Sequence, residues 1–307
     1  MNYHTLSDFR VGHEEALDQL MTQVLAVLTH QGMVELTRVA QDGMRIRASA
    51  GASSFRREPT LGRCLEEARQ HVQEVKQAKP DGALEARKAA RRESAAQERL
   101  RRVERALAEL PQVQDAKKPA EKSEARVSTT DPEARVMKMG DGGFRPAYNA
   151  QFATDTKTRV IVGVDVTNLG SDRSQMPPML QNIQKRTGRL PGAQLVDGGF
   201  FKKEAIEEAT QQGVTVYAPL QKPKIEGVDP CEPKPGDSPE VAAWRQRMGT
   251  EESKEIYKER AATAETVNGD LRGHRAVDRL HVRTIPKVRC VILWAALAYN
   301  VLRLISA

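Results

Sequence analysis

The chain has 307 residues, a formal net charge of +7 at pH 7 and 4% aromatic residues. That length holds one substantial core with an accessory segment, and the basic balance favours a polyanionic partner. Scarce aromatics argue against stacking platforms for single strands, and the widely spaced Cys64, Cys231 and Cys290 offer neither a CxxC pair nor a disulfide framework. Met1-Asn2-Tyr3-His4 enters mixed polar sequence and does not read as a secretory leader.

Residues 14–31 predict an amphipathic helix, with Leu17, Leu20, Met21, Val24, Leu25 and Leu28 at helical spacing. Val34 to Ala40 predicts a strand that stops at Asp42-Gly43, and Met44 to Ala48 alternates as further extended chain. From 61 to 110 the sequence is dense in Glu, Arg, Gln and Ala and low in β-branched residues, which predicts helix. Lys79-Pro80-Asp81-Gly82 divides it, so a pair of long helices is expected, the second ending at Pro111. Mixed charge along this pair reads first as a solvated face. Residues 111–145 read as a polar connector.

Strands are expected at Ala147–Asp155 and Arg159–Thr167, joined as a hairpin through Asp155-Thr156-Lys157-Thr158. Ser171-Asp172 suits the cap of a helix running to Arg186. A short strand from Gly192 to Val196 stops at Asp197-Gly198-Gly199. Helix follows over Lys202–Gln211, strand over Val214–Tyr217, a Pro/Gly-rich loop over 221–238 and helix from Arg245 to about Arg272. The apolar run from Cys290 to Tyr299 is short for a membrane span and reads as a core helix within 284–305. The order gives a mixed α/β core, and its hairpin argues against a purely parallel sheet.

Three carboxylates draw notice: Asp42 and Asp197 at strand ends, and Glu265 on a helix. Carboxylate oxygens suit Mg²⁺, and a pair of such ions can cleave and join phosphodiesters. Each aspartate equally suits an Asx turn before its glycine, and Glu265 an exposed helical position. Asp165 and Asp172 are further acidic candidates. Neither a phosphate-binding glycine loop, a dinucleotide fingerprint nor a zinc-ligand cluster is present in the sequence.

Several stretches, in order, carry a likeness. They are His4 to Arg10, Val39-Ala40-Gln41-Asp42-Gly43-Met44-Arg45-Ile46-Arg47-Ala48, Tyr148-Asn149-Ala150-Gln151 with Val162 to Asn168, Leu195-Val196-Asp197-Gly198-Gly199-Phe200, and Val288 to Asn300. Together they resemble the DDE-type transposases of bacterial insertion sequences. The resemblance implies a ribonuclease H-like mixed sheet with a long helical insertion after the first strand. It divides the chain into an N-terminal helical remnant (1–31), the first part of the catalytic core (32–60), a charged insertion and connector (61–145) and the remainder of the core (146–307).

The same resemblance implies Asp42, Asp197 and Glu265 as catalytic, metal-holding residues for Mg²⁺, with Mn²⁺ as substitute. Tyr257, Arg260, Glu265 and Arg272 resemble a family helix signature whose interval from Arg260 to Glu265 is one residue longer than usual; Glu259 is the alternative third carboxylate. Lys202, Arg260 and Arg272, with Lys203 less central, are the implied DNA-phosphate contacts. The implied partners are double-stranded transposon-end and target DNA and further copies of the chain, in a cytoplasmic, nucleoid-associated setting without a membrane. Family members have a longer N-terminal region, so a shortened, inactive or regulatory DNA-binding product is the alternative expectation.

Overall fold

The computed structural model describes residues 3–77, 83–221 and 229–306. In chain order, α1 (Tyr3–Gly12) and α2 (Glu14–His30) precede β1 (Arg38–Arg47); a short β2 (Phe55–Arg56) leads to α3 (Glu58–Gln77) and α4 (Ala83–Asp115). Next come β3 (Val127–Ser128), β4 (Arg135–Lys138), β5 (Phe144–Asp155), β6 (Ile161–Thr167), α5 (Met176–Thr187), β7 (Ala193–Leu195), α6 (Lys203–Gln211) and β8 (Thr215–Tyr217). The chain ends with α7 (Pro239–Met248), α8 (Glu251–His274) and α9 (Ile285–Ile305). The fold is mixed α/β. It divides into one compact unit of Met1–Ile46, Asn149–Arg279 and Pro286–Ala307, and a second of Arg47–Tyr148 and Leu280–Ile285.

In the first unit the strands run in the order β6, β5, β1, β7, β8. β5 and β6 are antiparallel, whereas β1, β7 and β8 are mutually parallel. The β5–β6 hairpin closes as expected, with Asp155 Oδ1 accepting from the backbone N–H groups of Lys157 and Thr158 at 3.0 and 3.1 Å. β6 is a β-branched run (Ile-Val-Gly-Val-Asp-Val-Thr) suited to a pleated buried surface. On α2, Leu17, Met21, Leu25 and Leu28 form the buried stripe. α5 buries Met176, Met179, Leu180 and Ile183; Pro177 and Pro178 fall in its first turn, where their missing N–H groups cost little.

α9 passes the length and hydropathy test for crossing a membrane. Half of that window is nevertheless buried within the protein. Asn300 accounts for a polar residue there: its side chain accepts from Ile161 N–H at 2.9 Å and donates to Ile161 C=O at 2.8 Å.

The second unit contains α3 and α4. Leu61, Ala106, Leu110, Ala125 and Val127 form its apolar cluster, with Leu107 and Val113 against it. α4 runs through Pro111 rather than ending there. The apolar residues on both sides of the proline pack into one cluster, and that burial offsets the lost helix hydrogen bond. Residues 111–145, expected as connector, instead hold the end of α4, a 3₁₀ turn (Pro119–Glu124), β3 paired to β2, and β4 paired to the start of β5. The dividing segment 79–82 lies outside the described residues, as does 222–228 of the Pro/Gly-rich loop.

Three smaller expectations also change. The Arg245–Arg272 stretch is two helices, parted at Gly249 and restarted by Thr250, whose hydroxyl caps Ser253 N–H. α5 begins at Met176 after Gln175, so Asp172 does not cap it. Finally, β1 begins at Arg38 and not at Val34.

Candidate active site

β1 does not turn at Asp42-Gly43. It passes straight through to Arg47. Parallel pairing sets Arg38 against Ala193, Val39 against Gln194 and Ala40 against Leu195, where the pairing ends; Asp42 lies two residues further along β1 and Asp197 two residues past the end of β7. Side chains alternate between faces along a strand, so Arg38, Ala40 and Asp42 share a face of β1. Small Ala40 and Ala193 let Ile256 of α8 pack close to this face. Just past β7, Asp197 is the residue before a 3₁₀ turn (Gly198–Phe200), and its Oδ1 accepts from Gly199 N–H at 2.7 Å. The Asx-type bond read from the sequence therefore exists at Asp197, and a longer one, from the adjacent Gly43 N–H to Asp42 Oδ1 (3.0 Å), exists within an unbroken strand.

Arg260 of α8 joins the two aspartates: its Nη2 lies 3.1 Å from Asp42 Oδ1 and 3.6 Å from Asp197 Oδ2. Asn268 donates to the other oxygen, Asp42 Oδ2, at 2.9 Å. Burial pushes the Asp42 carboxyl above its ordinary pKa against the opposing charge of Arg260, and the negative charges of Asp197 and Asp172 push it further. Burial likewise raises the Tyr257 hydroxyl; Arg260 counteracts this, while Asp197 and Asp42 reinforce it. The pair is a site of compressed negative charge balanced by one guanidinium.

α8 places its signature residues unevenly. At about 100° per residue, Tyr257, Arg260 and Asn268 span roughly 80° of the helix surface. Ala264, buried, falls in the middle of that arc. Glu265 is exposed, about 60° beyond Asn268. Its side chain therefore leaves the helix outside that arc. Arg272 is also exposed and shares the Glu265 side of the helix. Lys202 is exposed immediately before α6. Lys203 is held by Asp237 at 2.6 Å, Glu259 by Arg38 at 2.8 Å, and Asp165 lies 3.7 Å from Arg289. Among the described residues, no group of three or more His, Cys, Asp or Glu side chains comes together as a metal site.

Sequence reasoning missed Asn268 and a row of buried polar groups on the opposite side of β1. Gln194 Nε2 donates to Gln41 Oε1 (2.9 Å), Gln41 Nε2 to Gln151 Oε1 (3.0 Å) and Gln151 Nε2 to Asp172 Oδ1 (2.6 Å). The available signal was a glutamine inside each otherwise apolar strand, Gln41 directly before Asp42 and Gln194 three residues before Asp197.

The family described as transposase DDE domain matches residues 115–301. The chain belongs to the transposase DDE domain family. No curated protein and no solved structure matches it. The matched span of this transposase-family chain includes Asp197, Arg260, Glu265 and Asn268, and Asp42 lies before it. A divalent metal is what the family implies at such a pair. The donor set fits: two aspartates on neighbouring strands already converge on one positive group, and Asp197 is 41% exposed at the side chain, leaving room for the water ligands a hard cation keeps.

Proposed function

We propose that this chain cleaves phosphodiester bonds at the ends of an insertion sequence and joins the released end to target DNA. The observation that carries the reading is the convergence of Asp42, on β1, and Asp197, just past β7, on the Arg260 guanidinium. The core is read as ribonuclease H-like, formed by residues 32–60 and 146–307, with 61–145 as its helical insertion and 1–31 as a leading helical region. Asp42 and Asp197 are the residues that would hold divalent metal, with Glu265 reaching in from the rim of α8 as third ligand. A bound Mg²⁺ or Mn²⁺ supplies activation of an oxygen nucleophile and stabilisation of the departing oxygen.

The remaining roles belong to the protein. Arg260 neutralises the aspartates while the site is empty of substrate and is placed to contact the phosphate brought to them. Lys202 and Arg272, both exposed, contact backbone phosphates beside the site; such contacts fix position rather than sequence. Asn268 holds Asp42 by one oxygen and so orients the other. Assembly as a homo-oligomer on double-stranded element ends, in the cytoplasm with the nucleoid, goes with this reading.

Thiol substitution tests direct ligation. Asp42→Cys, Asp197→Cys and Glu265→Cys are expected to lose cleavage of element-end DNA in Mg²⁺ and to regain part of it in Mn²⁺, which accepts sulfur more readily. Full Mg²⁺ activity in the Asp42 or Asp197 variant would remove that residue from the site. A second reading has its own support. Asp42 is satisfied by Arg260 and Asn268, and Glu265 does not join it, which suits a regulatory chain that binds element DNA without cutting it. Binding of end DNA with no metal-dependent nicking would favour that reading.

A further inference from the structure

We infer that Asp172 is a positioning residue for the Asp42–Asp197 pair. This rests on the function proposed above and concerns a residue that reading does not use.

Asp172 is buried, 5% exposed, in the link between β6 and α5. Its carboxylate is fully engaged: Oδ1 accepts from Asn149 Nδ2 at 2.7 Å and Gln151 Nε2 at 2.6 Å, and Oδ2 accepts from Arg45 Nη2 at 2.7 Å. A metal ligand would instead present an oxygen to the Asp42–Asp197 face. Gly43, Arg45 and Gln41 alternate with Asp42, so the groups that meet Asp172 lie on the other face of β1.

The backbone beside Asp42 approaches this buried carboxylate closely, and the backbone after Asp197 passes near it. A Cβ on Gly43 would stand 2.3 Å from Asp172 Oδ1, so the carboxylate occupies the space a side chain would take beside Asp42. A Cβ on Gly199, two residues after Asp197, would come within 3.8 Å of Asp172 Oδ2. Gly43 is therefore required by close approach and not by a turn, and its backbone lies against Asp172.

The glutamine row adds a direction. An amide can donate or accept, but an ionised carboxylate only accepts. With Asp172 at the end, Gln151 must present its NH₂ to it, its carbonyl then faces Gln41, and Gln41 in turn accepts from Gln194. Asp172 thus sets the orientation of Gln151, while Gln41 Nε2 donates both to Gln151 Oε1 and to the backbone carbonyl of Gln175 at 3.0 Å, a second acceptor-only anchor for the row. The row crosses β1, which carries Asp42, and β7, which leads to Asp197. In Asp172→Asn the new amide retains one acceptor oxygen, but its NH₂ must face either Arg45 or the Gln151/Asn149 donors, so one side of the cluster beside Gly43 loses its acceptor.

The test measures Mn²⁺ binding to the full chain without DNA, by the loss of the free-ion electron paramagnetic resonance signal, with thermal melting alongside. Wild type is expected to bind Mn²⁺ and Asp42→Ala to lose that binding. Asp172→Asn is expected to bind about tenfold or more weakly at a temperature well below its melting point. Gly43→Ala, which drives a methyl toward the same carboxylate, is expected to weaken binding likewise and serves if Asp172→Asn does not fold. Melting temperatures that fall while Mn²⁺ affinity stays at the wild-type value would make Asp172 merely structural and overturn the inference. Failure of wild type to bind Mn²⁺ through Asp42 would instead overturn the metal-site reading beneath it.

Discussion

Asp42 and Asp237 are both held by cations, to opposite effect. At Asp42, burial outweighs Arg260 and the carboxyl titrates above its ordinary range. At Asp237, burial works in the same upward direction, but hydrogen bonds from Lys203, Arg245 and Lys234 N–H prevail and hold it far below. Its side chain is only 1% exposed, and Arg245 beside it is 6% exposed, so neither charge has water to fall back on. Asp237→Asn is therefore expected to cost about 1.5–3 kcal/mol at pH 7. A depressed folded pKa gives stability that is present above the unfolded value of 3.8 and is lost as pH falls through the folded one. The gap between wild type and variant in urea melts should be full at neutral pH and close in acid below about pH 3.8. A gap that persists unchanged in acid would show that the aspartate acts by shape and not by charge. At this scale the aspartates themselves were legible, because a carboxylate next to glycine after an apolar run is a short local pattern. The reason for Gly43 was not: the clash that excludes a side chain comes from Asp172, 129 positions on in the numbering of the chain.

Elements were readable where periodicity was strong and local. The stripe of α2 and the β5–β6 hairpin with its Asp155 turn both follow from a few adjacent residues. Boundaries set by tertiary packing were not readable: α4 runs through Pro111 because Leu107, Leu110 and Val113 have Leu61, Ala125 and Val127 to pack on. Asn300 makes the same point for α9. In sequence it interrupts an apolar helix; in the fold its amide supplies both a donor and an acceptor to Ile161, as a neighbouring strand would. Asn300→Leu would add apolar volume while leaving two buried backbone groups unpaired. At about 1–3 kcal/mol for each group, a destabilisation of roughly 2–6 kcal/mol is expected in urea melts. Unchanged or higher stability would mean that water or a shift of β6 replaces both bonds.

For the whole chain, the alternation of elements was legible, and the sheet order and register were not. Alternation of helices and strands with one hairpin gave the mixed α/β class, and the fold has it. The approach of Asp42 and Asp197 to one guanidinium depends on the match between β1 and β7, separated by well over a hundred residues of α3, α4 and intervening strands. Nothing local in either strand sets that match. Glu265 shows the limit from the other side: the sequence offered it as a third carboxylate, but its place on α8 outside the arc of Tyr257, Arg260 and Asn268 is seen only in three dimensions. The family match supports a transposase role for the chain as a whole, and the aspartate pair is where that role would be exercised.

The most direct measurement is cleavage of an end-labelled duplex carrying the element end, with and without Mg²⁺, by wild type and by Asp42→Ala and Asp197→Ala, with DNA binding followed in parallel. The expected result is a Mg²⁺-dependent nick by wild type, its loss by at least about a hundredfold in either variant, and retained DNA binding. Cleavage by Asp42→Ala or Asp197→Ala at the wild-type rate would contradict the site assigned to this chain.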